Sequence, residues 1–188
     1  MKNTEIVDLA LRLKKSLDSR QRVLECFCKY GVQVEGWFKG EILCFLDNEK
    51  AYGRIASFDR EVMIESGGKK KKVDLSIRIL SDNVGVETVI ELKHWLIGYQ
   101  KGTKYNANFC FRDPTSVGIR PDVESLSKVL GHDIFMLILC TANPSIEDWM
   151  SGVAEFNRKF NPLRIESLNS PEEFPPYYFL GCLEVSRG

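Results

Sequence analysis

Apolar positions along the chain first recur at helical spacing. Ile6, Leu9, Leu13 and Leu17 fall every three or four residues behind Thr4, which predicts a helix over 4–17 with Thr4 as its N-cap. A second helix is predicted from Asp18-Ser19 to Gly31, a glycine that suits the left-handed cap position. A third runs from Val34 to Leu46 and stops before Asp47-Asn48. After Tyr52-Gly53 the period changes to two with β-branched enrichment, predicting strands at 61–65, 73–80 and 87–95. Gly67-Gly68 and the segment from Ser81 to Gly85 separate them as tight turns, so an antiparallel meander is expected. Residues 98–121, punctuated by glycine and proline, read as a long irregular segment of the kind that carries function. A short helix from Asp122 to Leu130 follows, then a near-continuous apolar run from Asp133 to Cys140 that reads as a central strand covered on both faces. Ser145 opens a last helix (Ile146, Trp149, Met150, Val153, Phe156, Phe160), and Tyr177 to Val185 reads as a final strand. The whole is an α/β chain, a mixed central β-sheet flanked by helices. It is read as one domain over 1–188, with a helical N-terminal extension at 1–32 and the core at 33–188.

Composition narrows the picture only at the margins. At 188 residues, 44% hydrophobic, 28% charged and 11% aromatic, the chain is of ordinary globular make-up, which excludes disordered and fibrous classes. Twenty-six basic and 26 acidic side chains give zero net charge, so no bulk polycationic field attracts nucleic acid and any such binding needs a local patch. The seven-residue run from Ile134 to Cys140 is far short of the roughly 20 residues that span a bilayer, and no membrane partner is expected. Acids at Glu5 and Asp8 stand where a secretory signal has its apolar stretch, which makes the cytoplasm the expected compartment. Cysteines at 26, 28, 44, 110, 140 and 182 lack zinc-site spacing and read as ordinary reduced thiols.

The chemistry is concentrated in the meander. In the second strand Val73, Leu75, Ile77 and Ile79 alternate with Asp74, Ser76 and Arg78, so Asp74 faces away from the apolar row. Glu91 and Lys93 share one face of the third strand, about 7 Å apart, with Ile90 and Leu92 on the other. Pairing of the two strands brings Asp74 towards Glu91. Two adjacent carboxylates repel unless compensated, and a hard divalent cation with oxygen ligands does so. The third helix adds Glu41, which interrupts an aromatic stripe of Trp37 and Phe45 at i, i+4, i+8 and therefore needs a partner: it either reaches out to an arginine or to solvent, or belongs to the same site.

An acid on a helix before the sheet (Glu41), an Asp on a strand (Val73-Asp74) and Glu-x-Lys on the next strand (Glu91-Leu92-Lys93, 17 positions on) resemble the PD-(D/E)XK, or restriction endonuclease-like, nuclease superfamily. The α-β-β-β-α-β order over about 33–142 resembles that family's core, and Val73 stands where the family name has proline. The resemblance implies a nuclease that hydrolyses phosphodiester bonds in DNA with Mg²⁺ or Mn²⁺. It implies Asp74, Glu91, Glu41 and the Leu92 carbonyl as metal ligands, with Lys93 orienting a water and stabilising developing charge. Gln100 falls where some members carry a further active-site residue, whereas His94, on the opposite face, reads as a packed histidine. Lys69, Lys70, Lys71, Lys72, Lys101 and Lys104 form the expected phosphate-facing patch. Members that cut both strands often act as dimers, so a homodimer is a further expectation. Two other readings stay open: a nucleic-acid-binding module of the same fold without turnover, and an RNA-directed metal-dependent hydrolase.

Overall fold

The computed structural model describes residues 3–32, 34–80, 87–96, 119–129, 131–141, 146–159, 165–167 and 178–185. The chain begins with α1 (Asn3–Asp18), whose Ile6, Leu9, Ala10, Leu13 and Leu17 all bury along one stripe, as their spacing dictates. Helix α2 (Gln21–Tyr30) ends where expected, on Gly31 at φ 63°. Helix α3 (Glu35–Ala51) runs five residues past the predicted end. Asp47 and Asn48 are exposed, so their polarity does not interrupt the packed face of Phe38, Ile42, Phe45, Leu46 and Glu49. The helix stops instead at Gly53, whose φ of 67° turns the chain while the Gly53 and Arg54 amides donate to the Lys50 and Glu49 carbonyls. The acid buried on this helix is Glu49, 3% exposed, held between Arg12 at 2.8 Å and Arg54 at 2.7 Å.

Three strands follow as a meander: β1 (Ile55–Ser66), β2 (Lys69–Ile79) and β3 (Glu87–Leu96). Gly67 and Gly68 join the first two with φ of 56° and 77°, the left-handed pair that a two-residue hairpin turn needs. The lysines at 69–72 lie within β2, paired with Ser66 back to Met63, and not ahead of the strand as the residue pattern predicts. Helix α4 (Ile119–Leu126), β4 (Asp133–Thr141), α5 (Ile146–Lys159), the short β5 (Ile165–Ser167) and β6 (Tyr178–Glu184) complete the chain. Strand β5 has no counterpart among the predicted strands, because three residues carry no legible period.

Among the described residues the six strands form one mixed sheet in the order β1-β2-β3-β4-β6-β5. Only β3 and β4 pair in parallel, over nine residue pairs from Thr88↔Asp133 to Leu96↔Thr141, with α4 in the crossover between them. Alternation along β4 separates two apolar layers. Phe135, Leu137 and Leu139 face α1, α2 and α3, and Ile134, Met136, Ile138 and Cys140 face α4 and α5. A void of about 10 Å³ remains beside Ala10, Ile42, Leu75 and Leu137, barely the space of one water and too small for an organic ligand. No helix among the described residues is long and apolar enough to cross a membrane.

Candidate functional site

The site forms where β2 leaves β3. Their ladder runs from Arg78↔Glu87 to Leu75↔Ile90 and then stops, although β3 continues beside β4 to Leu96. At the same level β1 kinks at Glu61, which has φ of 55°, between the regular pairs Arg60↔Leu75 and Val62↔Val73. Side chains replace the missing ladder bonds. The Leu92 amide donates to Asp74 Oδ2 at 2.9 Å, and the Asp74 amide donates to the Glu91 carboxylate. The N–H and C=O of one extended residue point to the same edge, so the Leu92 carbonyl is directed into this gap beside Asp74.

Two lysine–aspartate pairs flank the gap, one from each helical layer. Lys39 on α3 reaches Asp74 Oδ1 at 2.8 Å and Glu35 at 3.0 Å. Lys93 on β3 reaches Asp122 Oδ2, in the first turn of α4, at 2.6 Å. Glu91 lies among them with Oε2 buried and lacking any hydrogen-bond partner. Burial first, then the charges of Asp74 and Asp122, outweigh Lys71 and the Asp74 amide, and its carboxyl is pushed up to about 7. For Lys39, burial works against the charged form, but the bonds to Asp74 and Glu35 prevail and its ammonium is held more firmly protonated than usual.

The predicted residues divide into four groups. Asp74, Glu91 and the Leu92 backbone are brought together, and Lys93 lies two residues from Glu91 on β3 but with its ammonium on Asp122. Glu41 is not brought to them: it binds Arg20 at 3.2 Å. It lies two residues from Lys39, about 200° around the helix, so the turn of α3 that presents Lys39 to Asp74 directs Glu41 elsewhere. Gln100, Lys101 and Lys104 lie outside the described residues. The lysine patch is partly engaged. Lys71 donates to Ser125 Oγ at 3.1 Å and Lys72 pairs with Glu61 at 3.0 Å, whereas Lys69 and Lys70 are exposed at the hairpin tip. That tip is docked on the last turn of α4 and the turn after it, through Ser66 Oγ to Ser125 O, at 2.9 Å, and Gly67 N–H to Lys128 O, at 3.3 Å. His94 is buried on the opposite face against Thr141 at 2.7 Å, and burial lowers its pKa to about 4.

Sequence reasoning missed Lys39, Glu35 and Asp122. Glu35 and Lys39 carry the i, i+4 signature of a helix-surface pair, and Asp122 that of a first-turn acid, but both patterns are too common to single out. Among the described residues no three carboxylate, histidine or cysteine side chains form a ready metal cage. What the gap does offer is an oxygen-only donor set: Asp74, the unpartnered Glu91 oxygen and the Leu92 carbonyl, a set that suits a hard divalent cation. No protein-family model, curated protein or solved structure matches the chain.

Proposed function

We propose that this chain is a nuclease that hydrolyses phosphodiester bonds in DNA with Mg²⁺ or Mn²⁺. The observation that carries the reading is the buried, unpartnered Glu91 oxygen beside Asp74, with the Lys93 ammonium on the same face of the strand and held by Asp122. On this reading α3-β1-β2-β3-α4-β4 is a restriction endonuclease-like core, and its site sits where the sheet opens.

Asp74, Glu91 and the Leu92 carbonyl would hold the cation. When bound, it supplies positive charge that polarises the phosphoryl group and acidifies water. Lys93 orients the attacking water and stabilises the charge that accumulates on the phosphoryl oxygens, and Asp122 fixes the Lys93 ammonium in direction. Burial of Glu91 strengthens its interaction with a cation by excluding water from the carboxylate. Lys69 and Lys70 stand at the end of the strand that carries Asp74 and contact the phosphate backbone. A homodimer would provide one site for each strand of a duplex.

The test is incubation of the purified chain with supercoiled, linear, single-stranded and branched DNA, and with RNA, in Mg²⁺, Mn²⁺ or EDTA. Cleavage of DNA in either metal and none in EDTA is the expected result. Cleavage of RNA alone would transfer the reading to an RNA-directed hydrolase. Binding without cleavage in any metal would favour a module without turnover, a reading that draws on Asp74 and Lys93 both being ion-paired already.

A further inference from the structure

Lys39 holds a position that neither its sequence context nor the Asp-Glu-Lys constellation assigns. Its ammonium contacts Asp74 Oδ1, the one oxygen of that carboxylate that the Leu92 amide leaves open, and so stands where a cation bound to Asp74 would stand. A monovalent ammonium and a divalent ion cannot both lie within about 3 Å of one oxygen without strong repulsion. The lysine is anchored on a well-formed helix turn, its side chain is 38% exposed, and Glu35 gives it a second carboxylate to rest on. It can therefore leave Asp74 without leaving the site. Once released, its three donors lie within one side-chain length of any phosphate bound through Asp74.

We infer that Lys39 is a substrate-binding residue of this site: in the free protein it serves as the counter-ion of Asp74, and it exchanges that carboxylate for a phosphate oxygen when cation and nucleic acid bind. The inference rests on the nuclease reading. It has consequences of opposite sign for the two ligands, which a residue that merely supported the fold would not have. Removing the ammonium removes a competitor of the metal, and it also removes a group that binds the nucleic acid.

The test compares wild type, Lys39→Gln, Lys39→Arg and Asp74→Asn by calorimetric titration with Ca²⁺ alone, and then by binding of a short DNA duplex in Ca²⁺. Lys39→Gln is expected to bind Ca²⁺ about tenfold more tightly and DNA about tenfold more weakly than wild type. Lys39→Arg, which keeps the charge, is expected to stay close to wild type in both, and Asp74→Asn to lose the ion. Unchanged or weaker Ca²⁺ binding by Lys39→Gln, or unchanged DNA affinity, overturns the exchange while leaving the metal site in place. Failure of wild type itself to bind Ca²⁺ overturns the metal-dependent reading, and the exchange with it.

Discussion

At the scale of single residues, Lys93 and Glu91 carry the sharpest expectations. Lys93→Ala should reduce cleavage by at least about a hundredfold, the scale for removing one group that stabilises the transition state, with an unchanged circular dichroism spectrum. Asp122→Asn should cost about tenfold, because it acts only through the direction of the Lys93 ammonium. Wild-type turnover by Lys93→Ala would remove that lysine from the mechanism. The pH dependence of stability separates the two faces of β3. Glu91, pushed up to about 7, binds its proton in the folded chain between the ordinary carboxylate pKa and 7. It therefore adds stability below that window that is lost as pH rises through it. His94, lowered to about 4, does the reverse: the unfolded chain binds the extra proton, and stability is lost as pH falls from about 6.5 to 4. In EDTA, the melting temperature of Glu91→Gln should therefore rise more steeply with pH across that range than that of wild type, and that of His94→Asn less steeply. Parallel curves for all three would remove both perturbed groups. The period of two sufficed to place Glu91 and Lys93 on one face of β3, but not to place Asp74: the alternation of β2 breaks there, with Val73 packed in one apolar layer and Leu75 and Ile77 in the other, and Asp74 turns to Lys39 on α3 rather than away from the apolar row. Glu41 failed because an aromatic stripe at i, i+4 marks a face without saying which neighbour covers it. Arg20, Glu35 and Lys39 decide that by their ion pairs.

At the scale of elements, the β1–β2 hairpin is the part whose role depends most on where its charges go. Lys71 and Lys72 are tied to Ser125 and Glu61, whereas Lys69 and Lys70 are exposed at the tip. Replacing Lys69 and Lys70 by Ser should lower the log–log salt slope of DNA binding by about 0.9 for each phosphate that is no longer neutralised, while Lys72→Ser should change it little. Equal slopes for all variants, measured by fluorescence anisotropy across a salt series, would make the run a solvated one. Element ends were legible where the chain has a backbone reason to stop, as at Gly31 and Gly67-Gly68. They were not legible where polarity alone suggested an end, as at Asp47-Asn48, because an exposed helix face accepts polar residues without breaking. The lysine run is not legible as strand because lysine is a weak strand former, and its place is set by pairing with β1.

For the whole molecule, the shared strand β4 makes the two apolar layers interdependent. Leu137 points into one layer and Ile138 into the other, both all but inaccessible to water. Leu137→Ala and Ile138→Ala should each cost about 2–5 kcal/mol in urea unfolding and leave a single transition. Two transitions would mean that the layers melt separately. The mixed sheet flanked by helices followed from the order of periods along the chain. The strand order did not, because pairing β3 with β4 spans a crossover whose partners no local pattern names.

The kink in β1 has a consequence beyond the site it adjoins. Among the described residues this twelve-residue strand is the outermost of the sheet, hydrogen-bonded on one side only, and so presents an open template on which another chain could grow. Glu61, with its left-handed backbone and with Asp59 and Arg60 exposed beside it, divides that template into two short stretches. The opposite border among the described residues, β5, is three residues long. Both borders are thereby guarded against edge-to-edge polymerisation, and the same residue that kinks β1 at the level of Asp74 helps keep the molecule from assembling into fibres.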